Sequence, residues 1–423
     1  MLSNFDLSLR FFLQLACVLG VCRGVGWLGR RVGQPQVVGE MIAGVLLGPS
    51  LLGWLAPSVQ KWLFPPQAMT IFFAVSQVGL SIYMFLVGLE FRRDLFLGKA
   101  RSAAAVSLAG MVTPFLLGGA IGYVLLGQAG MFGDKVTTVE AILYMGASMC
   151  ITAFPMLARI IYERGLSGTA LGTLALAAGA IDDAAAWCIL AVVLASFGGS
   201  WNVAALAIGG GIGYGILVLT VGRVLLARLG RTAEERGSVN SAMLAFTLTL
   251  VMLGSWFTDA VGIYAVFGAF ILGVAMPRGT FATAVQQQVE PLTVVLLLPL
   301  FFTYSGLNTR LDMVDTPYLW MVSLIVLAAA CLGKAGACYG AARLNGEDHK
   351  TSMAVGTLMN ARGLMELIIL NIGLQKGVIK PTLFSIMVVM AIATTLMASP
   401  IFEWLYGREA RKQGLVGDAP LEG

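Results

Sequence analysis

Apolar runs long enough to cross a lipid bilayer recur along almost the whole chain, and they constrain its fold more than any motif. A spanning helix needs about 20 mainly apolar residues. Thirteen segments approach that: 7–29, 36–53, 71–90, 102–126, 138–161, 168–197, 203–227, 239–257, 261–276, 291–309, 317–343, 352–375 and 381–406. Two of them, 36–53 and 261–276, are short for a span. The runs lack the alternation of a membrane barrel, so the prediction is an all-α polytopic protein. Charged residues make up 12% of the chain, against about 25% in soluble domains. So little charge cannot cover a water-facing surface, which excludes a soluble enzyme, a nucleic-acid binder and a disordered chain. The loops leave no room for a soluble domain of about 50 residues. No nucleotide-binding domain is therefore expected, only a short cytoplasmic tail at 407–423. The first run continues past Arg10 to Arg30, unlike a cleaved signal.

Lys and Arg set the expected orientation. Of the 27, 18 fall on one side of a thirteen-span chain, six on the other, and Arg23, Lys334 and Arg362 inside segments. This predicts an inner-membrane protein with its N-terminus outside and its C-terminus in the cytoplasm. The six cysteines stand singly, without a CxxC, so packing is expected of them rather than zinc or disulfides. Gly24-x-Gly26-x-x-Gly29 matches a dinucleotide fingerprint in letters alone; it follows no strand, and close helix packing is the expectation. His349, between acidic loop residues and Lys350, reads as a solvated loop residue. Glu403 and Arg23 read as side chains reaching the membrane interface.

Two stretches resemble each other. Gly88-Leu89-x-x-Arg92-x-Asp94 closes the third segment, and Gly306-Leu307-x-x-Arg310-x-Asp312 closes the tenth. Upstream, Gly39 and Gly44-Val45 parallel Gly268 and Gly273-Val274. A shift of seven spans reverses orientation, so the repeat would be inverted, covering segments 2–6 and 9–13.

Ionisable groups at a helix centre cost about 2.5–3.5 kcal/mol each on insertion scales. Asp182 and Asp183 lie at the centre of 168–197, and Arg362 near that of 352–375, with Glu366 one turn on. Lys334 is four residues past the centre of 317–343, roughly 6 Å along the axis. Thr152 and Pro155 are near the centre of 138–161. All these groups share one depth. A structural ion-pair network would also use such charges, and Arg362 with Glu366, at i and i+4, fits that role well. An adjacent acidic pair fits it poorly, because neighbours on a helix diverge by about 100° and one partner cannot serve both. Two close carboxylates raise each other's affinity for protons. They hold a monovalent cation or protons but resist standing empty, which is the chemistry of an antiporter. Pro155 removes a helix hydrogen bond and frees a carbonyl, and Asn360 and Gly363 give segment 352–375 similar break potential. A kink without a ligand role fits the same residues.

Ile151-Thr152-Ala153-Phe154-Pro155-Met156-Leu157-Ala158-Arg159, Ala180-Ile181-Asp182-Asp183-Ala184-Ala185-Ala186-Trp187 and Asn360-Ala361-Arg362-Gly363-Leu364-Met365-Glu366-Leu367 carry a family likeness. They resemble the monovalent cation:proton antiporter-2 family, in its bacterial relatives of the plant cation/proton exchangers. The resemblance implies a homodimer of thirteen-span protomers with an inverted repeat, two crossed discontinuous helices and elevator-type motion. By position it implies a single transmembrane antiporter domain over 1–406. The dimerisation side would be about 1–100 and 239–309, the linker helix 203–227, and the core transport side 102–197 and 317–406. Asp183 matches the main cation and proton carboxylate, Asp182 the residue that pairs with the membrane lysine, here Lys334, and Thr152 a hydroxyl at the helix break. Arg362, Glu366 and Asn360 would form a supporting network. No cofactor is implied beyond the transported Na+ or K+ and H+. Plant members commonly carry Asn-Asp where this chain has Asp182-Asp183, which favours the two-aspartate, sodium-type class.

Other classes fit less well. A cation channel needs repeated filter elements, and none is visible. An intramembrane aspartyl protease needs two aspartates facing each other from different helices, whereas both lie in one segment here. A transport-dead sensor of the same fold has the same sequence pattern.

Overall fold

Long continuous apolar runs can satisfy their backbone in lipid as helices, and the described residues form helices joined by short connections. The computed structural model describes residues 3–31, 34–91, 93–196, 201–307, 316–362 and 364–407. Arg92, Arg310, Asp312, Gly363 and the tail from Arg408 lie outside the described residues, as does the Asp94 side chain.

The first part of the chain forms α1 (Asn4–Arg31), α2 (Gln36–Leu47), the short α3 (Leu52–Leu55) and α4 (Pro57–Leu63), then α5 (Pro66–Glu90) and α6 (Arg93–Leu126). Next come α7 (Thr138–Cys150), α8 (Phe154–Glu163), α9 (Ala170–Ser196), α10 (Trp201–Leu217) and α11 (Arg223–Arg236). The remainder forms α12 (Ser241–Ala260), α13 (Ala265–Ala275), α14 (Thr280–Leu292), α15 (Leu298–Leu307), α16 (Pro317–Cys331), α17 (Ala337–Leu344), α18 (His349–Met359), α19 (Leu364–Gln375) and α20 (Pro381–Phe402). No strand occurs among the described residues; Phe132 and Ile379 form an isolated bridge. Beside it Lys380 Nζ lies 2.7 Å from Asp134 Oδ1, a hydrogen bond that, with the lysine's charge, holds this carboxyl below its ordinary range.

Ten helices among the described residues are long and apolar enough to cross a membrane. Their outer surface is apolar too: Leu108, Leu116, Val224 and Trp256 are exposed, as a lipid-facing shell requires. Trp27, Trp54, Trp62 and Trp404, near helix ends, are also exposed, as aromatic belts are. The chain is a multi-pass membrane protein.

Among the described residues, four helices run on into wide turns. Val218–Gly222 links α10 to α11, Thr293–Leu297 links α14 to α15, Leu332–Gly336 links α16 to α17, and Glu403–Gly407 extends α20. Such π-turns gather at functional sites, and one of these carries Lys334. The sequence leads one to expect a polar connection over 228–238; instead α11 runs to Arg236. Leu, Arg, Ala and Glu are strong helix formers, and the helix ends only where Gly237 takes the left-handed conformation at φ 66°. Glu403 does not simply reach for the interface: Arg164 Nη1 is 2.9 Å from its Oε2.

Close helix crossings rest on glycine. A Cβ on Gly44 (α2) would lie 2.3 Å from the Thr303 carbonyl oxygen and 2.9 Å from Gly306 Cα of α15. A Cβ on Gly273 (α13) would lie 2.2 Å from the Phe85 carbonyl oxygen and 3.0 Å from Gly88 Cα of α5. Gly26 of the fingerprint-like run packs the same way: a Cβ on Gly39 would lie 2.7 Å from its Cα. Gly44→Ala is therefore expected to cost about 1–3 kcal/mol through overpacking. Gly20→Ala, with nothing within 4 Å, should be neutral or slightly stabilising because alanine is the better helix former. Thermal unfolding in one detergent compares the two.

Candidate functional site

Among the described residues, two helices are interrupted at mid-length. The chain leaves α7 after Cys150, runs non-helically through Ile151, Thr152 and Ala153, and re-enters a helix at Phe154. Pro155 explains the position. Its missing N–H is harmless in the first turn of α8 and would cost a ladder hydrogen bond deeper in. Likewise α18 ends at Met359, and α19 begins at Leu364. The two breaks touch, since the Ala153 N–H donates to the Ala361 carbonyl at 3.3 Å. Each half-helix brings unsatisfied backbone groups and a partial charge to this level.

Cations answer the exposed carbonyl end of α7. Arg362 Nη2 donates to the Met149 carbonyl at 2.7 Å, and Lys334 Nζ donates to the Cys150 carbonyl. The guanidinium comes from the opposite break, whereas the ammonium comes from the π-turn beyond α16. Both side chains are buried. Arg362 Nη1 lies 3.6 Å from Glu366 Oε2, one turn along α19.

The aspartate pair sits in α9, with both side chains buried. Asp182 Oδ2 accepts a hydrogen bond from Thr152 Oγ1 at 2.6 Å and another from Lys334 Nζ at 3.0 Å. Asp182 thus has a full positive partner and a hydroxyl. Asp183 has no ion pair among the described residues, and its Oδ1 has no hydrogen-bond partner there. The two neighbours diverge around the helix, which is why one lysine serves only the first. The arrangement separates a neutralised carboxylate from an unneutralised one.

Three of the sequence-selected residues, Thr152, Asp182 and Lys334, form one hydrogen-bonded cluster, and Asp183 stands next to it. Arg362 and Glu366 form a second cluster joined to the first through the last carbonyls of α7. Asn360 does not bond to that pair; its Nδ2 reaches Cys331 Sγ at 3.4 Å.

The family model for transmembrane sodium/hydrogen exchangers matches residues 18–406. This chain belongs to the sodium/hydrogen exchanger family. Among exchanger relatives, the Na(+)/H(+) antiporter NhaS4 of Synechocystis sp. is 39% identical over 396 residues, 92% of this chain and 95% of the relative. Cation/H(+) antiporter 17 of Arabidopsis thaliana is 36% identical over 93% of this chain, which spans only 48% of that longer relative. The fold is that of a solved exchanger, the sodium proton antiporter MjNhaP1 from Methanocaldococcus jannaschii. Their TM-score is 0.68 at 16% identity, over 94% of this chain and 96% of the other.

Sequence reasoning about this exchanger missed Thr395. From α20 its hydroxyl donates to the Arg362 carbonyl and accepts from the Arg362 N–H at 3.2 Å. It thereby satisfies both backbone groups of a residue in the second break. The available signal was Thr394-Thr395 in the middle of an apolar segment. Thr395→Val, nearly the same shape, strands those two groups and should cost about 1–3 kcal/mol, whereas Thr395→Ser retains the hydroxyl and most of the stability. Thermal unfolding of the two variants separates loss of the hydroxyl from loss of the methyl.

Proposed function

We propose that the chain is a secondary-active antiporter that exchanges a monovalent cation, Na+ or K+, for protons by alternating access at the Asp182–Asp183 pair. The observation that carries this reading is the unequal treatment of the two carboxylates. Asp182 is held by Lys334 and Thr152, while Asp183 is buried without an ion pair among the described residues. A buried, unneutralised carboxylate is unfavourable unless it takes up a proton or a cation. When the cation arrives, Asp183 gives up its proton to the water of that face, and its carboxylate oxygens become ligands. The Thr152 hydroxyl would add an oxygen to the shell, whereas the Met149 and Cys150 carbonyls at the first break already accept from Arg362 and Lys334. Lys334 keeps Asp182 neutralised while the site is protonated. An empty, charged site is costly to carry through a dry barrier, so only the loaded forms reorient, and the two fluxes are coupled.

The same reading gives thirteen spans, an inverted repeat and a homodimer. The Gly44–Gly306 and Gly273–Gly88 crossings support the repeat, because exchanging the second segment for the ninth and the third for the tenth turns one crossing into the other. About 1–100 and 239–309 would be the dimerisation side, and about 102–197 and 317–406 the moving core, joined by the helix at 203–227. With 18 basic residues against six, the N-terminus lies outside and the C-terminus in the cytoplasm of an inner membrane.

The test is exchange in proteoliposomes carrying a pH-sensitive dye, with Na+, K+ and Li+ added in turn. Proton movement driven by at least one cation is expected. Cation current without proton movement would instead mean a channel. No movement with any of the three would mean a transport-inactive member of the fold.

A further inference from the structure

Helix α2 begins without a cap of its own. The residue at its N-cap position is Pro35, whose side chain makes no capping bond. A first-turn N–H left bare inside a protein is costly. Here the partner comes from another helix: the Val37 N–H donates to Glu163 Oε1 at 3.2 Å. Glu163 is the last residue of α8, and a carboxylate at a helix N-terminus is the favourable charge there. Arg159, one turn back on α8, forms an ion pair with the carboxylate, Nε lying 2.6 Å from Oε1. The surroundings are buried and polar. The buried Glu40, one turn into α2, interacts electrostatically with Arg159 and Glu163, and the buried Tyr83 of α5 with Arg159. Arg159 Nε and Nη1, Glu40 Oε2 and Tyr83 Oη have no hydrogen-bond partner among the described residues.

The neighbours of α2 differ in kind. Gly39 meets α1 and Gly44 meets α15 backbone against backbone, contacts that leave no slack for sliding. Across the same boundary α8 presents Phe154 edge-on to Phe270 of α13, with ring centroids 4.9 Å apart. Its last turn adds two polar ties, Glu163 to α2 and Tyr162 to Glu290 of α14. Apolar contacts slide at little cost, whereas an ion-assisted cap is either made or lost.

We infer that Glu163, aligned by Arg159, caps α2 from α8, and that this cap is a joint that opens when α8 moves during transport. The moving half of this inference rests on the alternating-access reading above; the capping half does not. Hydrogen–deuterium exchange of the first turn of α2, in nanodiscs, tests both. Glu163→Ala removes the acceptor and should speed exchange about fivefold, the factor that one helix cap is worth. Glu163→Gln keeps an acceptor oxygen and should change exchange less than about twofold, also on the capping scale. Equal acceleration in the two variants would assign Glu163 to charge pairing with Arg159 and overturn the cap. In the unmodified protein, Na+ or K+ should alter exchange in this turn relative to cation-free buffer. Identical exchange in all three buffers would overturn the joint. A preparation that moves no protons in proteoliposomes would defeat the antiport reading and the joint with it, while the Ala–Gln contrast would still decide the cap.

Discussion

Asp183→Asn is expected to bring cation-driven proton movement to background while leaving the protein as stable as before, or more so. The two halves of this result have one cause. Asp183 is buried and has no ion pair among the described residues. As a carboxylate it has much to gain from a proton or a cation. As a structural element it contributes nothing that an amide of the same shape does not, and the amide avoids the cost of burying charge. Most substitutions at a buried charge trade function against folding; this one should separate them. The check is exchange in proteoliposomes together with thermal unfolding of the same preparation. Retained exchange would move the transport chemistry away from Asp183. A large loss of stability would mean that its carboxylate has a structural partner.

Lys334→Gln should behave in the opposite way, with folding suffering first. Lys334 and Asp182 are both fully buried and 3.0 Å apart. Replacing two such groups together is often nearly neutral, but removing one partner leaves an uncompensated charge and costs about 3–5 kcal/mol. The last carbonyl of α7 also loses its donor. Adding Asp182→Asn to Lys334→Gln should therefore restore most of the lost stability, because it removes the stranded charge. A double-mutant cycle on thermal unfolding reads the coupling directly. If the two effects simply add, the pair is not an interacting unit, and Lys334 serves α7 rather than Asp182.

At Pro155 the sequence marks a departure from uninterrupted helix, whereas Pro114, Pro291 and Pro400 lie inside α6, α14 and α20. Pro155 places the first break to within a turn, and the level shared by Asp182, Lys334 and Arg362 marks the depth of the buried polar layer. Each of those signals is a residue in an environment that its own segment cannot justify. What stayed hidden depends on partners distant in sequence. Nothing near Lys334 announces the π-turn that aims it at the end of α7. Thr395 is an ordinary threonine until α20 packs beside the second break. Glu163 is an ordinary helix-end charge until α2 arrives with proline at its cap position and an amide to satisfy. Glu403 looked like a side chain seeking the interface because its partner, Arg164, is 239 residues away. Helix α11 outran its apolar stretch because its leucine, arginine, alanine and glutamate carry the helix through Gly230 and past the hydrophobic boundary, as far as the left-handed Gly237.

The central claim is that a proton and a cation compete for one buried carboxylate site. Equilibrium binding of Na+ or K+ to the purified protein, measured across a range of pH, tests it without any assumption about motion. Competition predicts that each unit fall in pH, once the site is mostly protonated, weakens apparent cation affinity about tenfold for each proton displaced. The dependence should disappear, with binding itself, in Asp183→Asn. A cation affinity that stays constant as the pH falls would contradict the claim.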